Sequence, residues 1–313
     1  MNKIVKIGAL KVGILGDTHL GKTFRNGVPL HRMGEREEMV WSAFGRSLNR
    51  AGEVDYHVHM GDLFDKPHVP YAVLLRAARL YRAAAKLRPI TTFVVINGNH
   101  DISRDADVVS AFDLFAELVE DVPNIKVCNR HPFSSRGLLF VPWNPQGYAD
   151  LHTPQNVVAA FGHWDVVAFG DTTNLVPLDV LKGMQIFTGH DHNPRITADG
   201  VDVVGSMQPF SFGEDEAQWM YKTFLFDEFE AVDKSTLRDC CVRVYCTPGE
   251  KIEEIPDCLQ FQIKMVEEEV VDVEVNYDDF DIEQIFKDCF EEHGVGDHLR
   301  ARVMQKYKET RLA

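Results

Sequence analysis

Five short segments of the sequence carry side chains that can bind metal ions, and in each segment the ligands follow a Gly. The segments are Gly16-Asp17-Thr18-His19, Gly61-Asp62-Leu63-Phe64-Asp65, Gly98-Asn99-His100-Asp101, Gly162-His163 and Gly189-His190-Asp191-His192. Their donors are carboxylate, imidazole and amide groups without a thiolate, which suits a catalytic manganese, iron or zinc ion. The same set disfavours an iron–sulfur cluster or a thiolate zinc site.

The number of donors predicts two metal ions rather than one, because one ion must leave room for water and substrate. The candidate ligands are Asp17, His19, Asp62, Asn99, His163, His190 and His192. Two divalent ions about 3.5 to 4 Å apart can clamp a phosphate, lower the pKa of a shared water and stabilise both the attacking and the leaving oxygens. A carboxylate is the natural bridge between two such ions, and Asp62 is the candidate bridge.

An apolar run precedes each ligand segment. The runs are KVGIL, DYHVHM, TTFVVI, NVVAAF and MQIFT. Short runs rich in Val, Ile and Phe that stop at a Gly are typical of buried strands in a largely parallel sheet. Ligands in open α/β sheets bind beyond the carboxyl ends of the strands, so the five segments are expected to converge on one point.

The remaining pattern predicts an α/β fold, an α+β sandwich of two mixed β-sheets packed together and flanked by helices. Helices are expected at 34–51, 70–88 and 108–120, with strands at 55–60 and 91–97 between them. This alternation implies crossover connections and a parallel sheet. The strands expected in a second, mixed sheet lie at 124–128, 138–142, 165–169, 185–188, 201–205 and 220–226.

The C-terminal part predicts a small α+β appendage, with the boundary in Asp227 to Asp239. We therefore divide the chain into residues 1–230 and residues 231–313. The appendage is expected to contain strands at 241–246, 258–265 and 270–276, followed by two helices. The apolar stripe of the first helix, which includes Phe286 and Phe290, either packs on the second helix or binds a partner.

The ordered motifs D-x-H, G-D-x-x-D, G-N-H-D, G-H and G-H-x-H resemble those of the calcineurin-like metallophosphoesterases. Within that superfamily the sequence is most similar to the SbcD-type nuclease subunit of the double-strand-break repair complex, and particularly to bacteriophage recombination endonucleases. The narrower resemblance rests on Asp17-Thr18-His19-Leu20-Gly21, Val141-Pro142-Trp143, Gly162-His163-Trp164, Gly205-Ser206 and Phe210-Ser211-Phe212-Gly213-Glu214. It covers roughly residues 10 to 230 and implies the metallophosphoesterase fold for the nuclease part.

The resemblance also implies a role for each site residue. Asp17, His19, Asp62 and His192 would hold one ion, and Asp62, Asn99, His163 and His190 the other. His100 would protonate the leaving oxygen, which agrees with the ability of imidazole to supply a proton near neutral pH. Asp101 is expected to orient His100, and Asp65 is expected to be an outer hydrogen-bond partner of the ligands. The ions would be Mn²⁺, with Mg²⁺ as the alternative.

The function implied by the resemblance is that of a DNA exonuclease and endonuclease subunit in recombination, repair and replication. A hydroxide activated by the two ions would hydrolyse the phosphodiester bond. The implied partners are DNA, an SMC-like ABC ATPase of the SbcC type and a second copy of the chain in a homodimer. The appendage would act as a capping-like and partner-binding region.

Two other functional classes stay open at this stage. One is a freestanding phosphodiesterase for small molecules such as cyclic nucleotides, and the other is a scaffold subunit with a vestigial metal site. The second motif lacks the Arg-Gly that follows it in protein phosphatases of the superfamily, since Lys66-Pro67 stand there. His100 and Phe161 stand where a related lipid-precursor hydrolase has Arg and His. Both differences favour a diesterase that acts on nucleic acid.

The formal net charge of −15 opposes binding to DNA phosphates. Acidic residues concentrate at 264–297, whereas residues 66–88 contain six Lys or Arg and no acid. DNA contact is therefore expected to be local, and Lys22, Arg25 and His31, in the loop after the first motif, are candidate contacts. No apolar stretch is long enough to cross a membrane, and Lys residues interrupt the apolar N-terminus. We expect a cytoplasmic protein, in the host cytoplasm if it is phage-encoded, with reduced cysteines.

Overall fold

The computed structural model describes residues 3–103, 105, 108–168, 172–266, 286, 290 and 300–306. The chain divides into two units, Met1–Met265 and Val266–Ala313. In the second unit residues 300–306 are helical, as expected for the last helix of the appendage. The strand predicted at 270–276 lies outside the described residues. Of the helix predicted between that strand and the last helix, only Phe286 and Phe290 are described.

The first sheet has five strands, and three helices connect them. The strands are β1 Lys3–Ile7, β2 Leu10–Leu15, β3 Tyr56–His59, β4 Thr92–Ile96 and β5 Ile125–Cys128, in the order β1-β2-β3-β4-β5. β1 and β2 form an antiparallel hairpin, and the other neighbours are parallel. The connecting helices are α1 Glu35–Arg50, α2 Tyr71–Leu87 and α3 Ala111–Val119. The predicted alternation of strand and helix is confirmed. The prediction that 124–128 joins the second sheet is wrong, because the crossover through α3 returns the chain to the first sheet, where β5 pairs in parallel with β4.

The second sheet has six short strands in mixed orientation. They are β6 Phe133–Ser135, β7 Leu138–Phe140, β8 Ala159–Gly162, β9 Gln185–Thr188, β10 Arg195–Ile196 and β11 Val201–Val203, in the order β10-β11-β9-β8-β7-β6. The central neighbours are parallel, whereas β6 and β10 are antiparallel edge strands. The carboxyl ends of β8 and β9 therefore lie at the same edge of this sheet.

The two sheets pack face to face. Because alternate residues of each strand point to opposite faces of its sheet, a strand of the first sheet contributes to two cores. Val94 and Ile96 of β4 point into the core between the sheets, where they join Phe140 and Phe161. Phe93 points to the opposite face and packs under the helices with Tyr81 and Phe115. The predicted fold class, two mixed sheets packed together and flanked by helices, is confirmed.

Helices α2 and α3 cover the outer face of the first sheet with apolar stripes at helical spacing. The buried residues of α2 are Leu74, Ala77, Ala78, Tyr81, Ala84 and Ala85. α3 begins with a capping box, in which Ser110 Oγ accepts from the Asp113 backbone N–H and the Asp113 carboxylate accepts from the Ser110 N–H. This pair satisfies two backbone donors that the first helical turn leaves open.

A third sheet contains the strands β12 Tyr221–Leu225, β13 Cys241–Cys246 and β14 Gln260–Met265, all parallel. Helix α4, Phe226–Ala231, follows β12. The prediction that 220–226 joins the second sheet is wrong, because β12 pairs with β13 from Tyr221 opposite Cys241 onward. The predicted boundary at residue 230 falls between these two paired strands, and the functional division made there stays a prediction.

One predicted strand is absent. Asp165 forms only an isolated bridge with Leu175, and residues 166–168 form no strand. Val166 instead packs against a buried cluster that contains Trp164, so the apolar run reflects burial and not backbone pairing. Among the described residues, no helix combines the length and apolarity that a membrane span requires.

Candidate metal centre

The seven predicted ligands meet at the carboxyl ends of strands from both large sheets. Asp17 and His19 follow β2, Asp62 follows β3, and Asn99 follows β4. His163 follows β8, and His190 and His192 follow β9. Asp17, His19, Asp62 and His163 are buried. The side chains form two clusters, which we call cluster 1 and cluster 2.

Cluster 1 contains Asp17, His19, Asp62 and His192. The Nε2 atoms of His19 and His192 lie 3.1 Å apart. His192 Nε2 lies 3.6 Å from Asp17 Oδ2, and His19 Nε2 lies 3.7 Å from Asp62 Oδ2. Two imidazole nitrogens and two carboxylate oxygens therefore face one small volume, as ligands of one divalent ion do.

Cluster 2 contains Asp62, Asn99, His163 and His190. The amide oxygen of Asn99 lies 2.9 Å from His163 Nε2 and 2.9 Å from His190 Nδ1. His163 Nε2 also lies 3.5 Å from Asp62 Oδ1 and 3.3 Å from His190 Nδ1. These four donors match the second ligand set that the resemblance implies.

Asp62 belongs to both clusters through different oxygen atoms. Its Oδ2 faces His19 of cluster 1, whereas its Oδ1 faces His163 of cluster 2. The backbone N–H of His100 donates to the same Oδ1 over 2.9 Å, which fixes the carboxylate. This is the arrangement expected of a carboxylate that bridges two ions. The structure thus brings all seven predicted ligands together, and their binding of metal stays a prediction from this geometry.

The electrostatics of the clusters fit divalent cations. Burial, reinforced by the charge of Asp62, raises the pKa of Asp17 well above its usual range. Burial lowers the pKa of His19 to about 3 and holds that of His163 well below its ordinary value. These imidazoles are therefore neutral and keep lone pairs for a metal. Buried carboxylates are costly unless a cation compensates them, and ions held here would provide that charge.

Three of the ligands have left-handed backbone conformations. The φ angles are 44° at His19, 51° at Asp62 and 74° at His190. Such angles cost on the order of 1 kcal/mol or more for a residue with a side chain, and they concentrate at functional sites. The surrounding loops therefore impose positions on these ligands that free chains would avoid.

The glycines of the motifs permit the close approach of the loops. A Cβ atom on Gly98 would collide with the Asp62 carboxylate and backbone. A Cβ atom on Gly189 would lie 2.6 Å from the Met60 carbonyl oxygen and 2.8 Å from Asp17 Oδ1. Because real Cβ contacts are longer than this, both positions require Gly, and the Gly-ligand pairs follow from the crowding of the site.

Outer hydrogen bonds orient three of the ligand imidazoles. His163 Nδ1 lies 2.9 Å from the Met60 carbonyl oxygen. His190 Nε2 lies 2.6 Å from Asp165 Oδ1, and His192 Nδ1 lies 3.2 Å from Glu214 Oε1. Each contact uses the ring nitrogen that is not in a cluster, so it fixes the tautomer that presents the other nitrogen to an ion.

The sequence reasoning missed the roles of Asp165 and Glu214. Glu214 ends the run from Phe210 that carried part of the narrower resemblance, and its carboxylate also accepts from the Phe210 N–H over 2.9 Å. Asp165 comes two residues after His163 but contacts His190, which only the fold brings near. Asp191 lies 2.6 Å from Arg195 and so points away from the clusters.

His100 lies beside cluster 1, with its ring centroid 4.8 Å from that of His19. The ring is exposed, and its Nδ1 lies 2.8 Å from the Asp65 carbonyl oxygen. The expectation that Asp101 orients His100 is wrong, because the buried Asp101 carboxylate accepts from the backbone N–H groups of Leu63, Phe64 and Gly98. Asp101 thereby fixes two ligand loops relative to each other, and burial raises its pKa well above the usual range.

The remaining predicted residues lie around the site. Asp65 Oδ1 is 3.8 Å from His19 Nδ1, beyond hydrogen-bond distance, and 3.2 Å from Lys22 Nζ. The predicted outer partner of the ligands thus bonds Lys22 instead. Arg25 is exposed, and the exposed His31 pairs with Asp257 over 2.9 Å. Their contact with DNA stays a prediction.

Comparison with known proteins identifies the family. The sequence profile described as calcineurin-like phosphoesterase matches residues 10–204. The chain belongs to this family. Over 147 residues it is 27% identical to the DNA double-strand break repair protein Mre11 of Methanococcus maripaludis, a match that covers 44% of this chain and 37% of that relative.

Family membership establishes the general chemistry. The protein is a hydrolase that acts on phosphoesters. Members of the family bind divalent metal ions, and this chain has two side-chain clusters that could hold such ions. The resemblance to the calcineurin-like superfamily is confirmed. Membership in the SbcD-type group, and in its bacteriophage branch, stays a prediction.

Proposed function

We propose that this chain is a manganese-dependent DNA exonuclease and endonuclease subunit of a recombination and repair complex. The observation that carries the proposal is the sharing of the Asp62 carboxylate by two clusters that together match both ligand sets of a two-metal phosphoesterase. The similarity to the repair protein Mre11 supports DNA as the substrate, although it extends over only 44% of the chain.

Each cluster would hold one ion, with Asp62 between them. Divalent cations, when bound, supply the charge that lowers the pKa of the attacking water and neutralises the phosphate. His100 supplies the proton for the leaving sugar oxygen. Its Nδ1 donates to the Asp65 carbonyl oxygen, which leaves Nε2 to carry that proton. Asp101 keeps the loops of Asp62 and Asn99 in register through its backbone hydrogen bonds.

The second candidate function is a freestanding phosphodiesterase for small molecules. The net charge of −15 favours it, because long-range repulsion opposes a polyanionic substrate. The pairing of Lys22 with Asp65 also reduces the positive charge that the first loop offers to a phosphate backbone. Such an enzyme would hydrolyse a chromogenic diester and leave linear DNA intact.

The proposed partners are a second copy of the chain and an SMC-like ATPase of the SbcC type, with the cytoplasm as the compartment. The proposed binding element for the ATPase is the C-terminal helical segment. Its described part, residues 300–306, is helical and includes Arg300, Arg302 and Lys306.

Digestion of linear duplex DNA tests the proposal. The purified chain with Mn²⁺ should degrade the DNA, and the candidate ATPase with ATP should increase the rate. His100→Asn is the matched control, because it should lower turnover while the ligand clusters keep their ions. Hydrolysis of a small diester without any cleavage of DNA would contradict the nuclease proposal and support the second candidate. Binding of fewer than two ions with no hydrolysis would indicate a vestigial site.

A further inference from the structure

Trp219 is an exposed aromatic side chain at the end of a short helical turn. It ends the 3₁₀ helix Asp215–Trp219 and is 61% exposed. Its neighbours Ala217 and Met220 are buried, so they hold the turn against the protein while the indole is exposed to solvent. The other three tryptophans, Trp41, Trp143 and Trp164, are 8%, 6% and 0% exposed. The fold therefore buries three of the four tryptophans and leaves this one in water.

Trp219 lines a cavity that one candidate metal ligand, His192, also lines. The cavity has a volume of about 320 Å³, and its walls include the cluster 1 ligand His192 and its partner Glu214. The same walls carry apolar surface from Pro194 and Pro209. This volume lies within the usual range of cavities for small ligands, roughly 300 to 1,000 Å³. The cavity thus brings the indole of Trp219 and a cluster 1 ligand to the same recess.

The chemistry of the cavity selects the group that fits it. A nucleobase has a flat π-face that stacks on Trp, whichever base it is. Stacking does not require positive charge, and so it suits a chain with a net charge of −15, for which contacts to phosphates are weak. We propose that this cavity is a nucleobase subsite, in which Trp219 stacks on a base next to the phosphodiester that is cleaved.

A second cavity next to Glu214 could hold the nucleic-acid strand where it continues past this base. A neighbouring cavity of about 660 Å³ shares Glu214 and is lined by Gln218, Lys222 and Thr223. Lys222 offers a cation, and Gln218 and Thr223 offer hydrogen bonds, where the next phosphate and sugar would lie. The inference rests on the proposed nuclease function, since it assigns a substrate subsite to that activity.

A pair of single-stranded oligonucleotides tests the subsite. One carries normal bases, and the other has the same length and phosphates but abasic sugars. The full-length chain should bind the intact strand with quenching of Trp219 fluorescence, measured in EDTA so that no cleavage occurs. Because the three other tryptophans are buried, the loss of this signal in Trp219→Phe identifies its source. The binding should depend weakly on salt, as expected for stacking with few phosphate contacts.

Kinetics with Mn²⁺ give the second readout. Trp219→Ala should raise the KM for the intact strand by roughly five- to 150-fold, the range for loss of one base–aromatic stack. Trp219→Phe should keep much of the preference for the intact over the abasic strand, and the melting temperatures of both variants should match that of the parent. Ile255→Ala is the control at an equally exposed apolar position, since Ile255 is also 61% exposed. This variant should leave the KM values for the intact and the abasic strand unchanged.

The outcomes separate this inference from the proposed function. If the parent chain cleaves DNA but Trp219→Ala retains the preference for the intact strand, the subsite is refuted and the nuclease proposal stands. If the intact strand leaves Trp219 fluorescence unchanged, the subsite is also refuted, and another occupant, such as a protein partner, covers this side chain. Failure of the parent chain to cleave either strand would refute the proposed function itself.

Discussion

Acidification should destabilise the protein through His57, a buried histidine on β3 that does not belong to either metal cluster. Its Nε2 lies 3.1 Å from Ser47 Oγ, and its Nδ1 has no hydrogen-bond partner among the described residues. Burial lowers its pKa from 6.5 to about 3. The folded state therefore holds this imidazole neutral, whereas the unfolded chain protonates it in mildly acidic solution.

The direction and the size of the stability change follow from the difference between the folded and unfolded pKa values of His57. Because the folded pKa lies below the unfolded value, the stability is fully present above pH 6.5 and is lost as the pH falls toward 3. Between about pH 7.5 and about pH 5, the uptake of this proton by the unfolded chain alone lowers the free energy of unfolding by about 2 kcal/mol. The loss of about 2 kcal/mol depends almost entirely on the pKa of the unfolded chain, since His57 is still neutral in the folded state at about pH 5.

Urea denaturation of the parent chain and of His57→Gln at both pH values measures this quantity. EDTA is present throughout, so that metal binding does not add its own stability. The variant lacks the titrating group, and its loss of stability on acidification should be smaller by about 2 kcal/mol. His152→Gln, at an exposed position, is the control and should keep the full loss.

An equal loss of stability in the parent and in His57→Gln would refute the reasoning. It would mean that His57 becomes protonated in the folded state or stays neutral in both states. The variant should also bind two Mn²⁺ ions by calorimetry, because the hydrogen bond to Ser47 gives His57 a structural role. Loss of an ion would place it in the metal centre instead.

Four further outcomes are expected. His100→Asn should lower the kcat for DNA cleavage by roughly 10²- to 10⁴-fold with both ions still bound, and loss of metal stoichiometry would make His100 a ligand. Glu214→Gln should weaken Mn²⁺ binding by about 10- to 100-fold in calorimetry, whereas an unchanged affinity would show that its contact with His192 is incidental. The purified chain should bind duplex DNA weakly at physiological salt; nanomolar binding that resists salt would overturn the charge argument. Deletion of residues 278–313 should preserve turnover on short substrates and abolish co-purification with the ATPase, an assignment that retained association would contradict.

The candidate site was predictable because each ligand follows a strand and a Gly in the sequence. The strands end at one edge of each sheet, and the residues after them must converge. Asp62 could be chosen as the bridge because a carboxylate offers two oxygens, and the structure places one oxygen in each cluster.

The outer partners were not predictable from spacing. Asp165 contacts His190 across 25 positions of sequence, and this contact depends on the path of the chain between β8 and β9. Asp101 follows His100 directly, which suggested that it orients the ring, yet its carboxylate faces the backbone of the neighbouring loop. Sequence adjacency does not report the direction in which a buried carboxylate points.

The assignment of strands to sheets was predictable only in part. β3 and β4, each preceded by a helix, were placed correctly in a parallel sheet, since a crossover forces parallel neighbours. β5 also follows a helix, but the segment 124–128 was assigned to the second sheet, whereas β5 pairs with β4 in the first. The run after His163 is apolar because Val166 packs beside Trp164, and this packing occurs without strand pairing. β12 matched the pattern of a strand, but its partner β13 begins 20 positions after β12 does, and composition alone does not reveal such pairing.

The loop that follows the ligand His19 is tied to the last strand described. The backbone N–H of Phe261 donates to the Gly27 carbonyl oxygen over 2.7 Å, and the Gln260 side chain donates to the Asn26 carbonyl oxygen over 2.7 Å. A catalytic fragment trimmed near residue 230 would remove these tethers along with two strands of the third sheet. A fragment that keeps the loop after His19 attached to the third sheet therefore extends through β14.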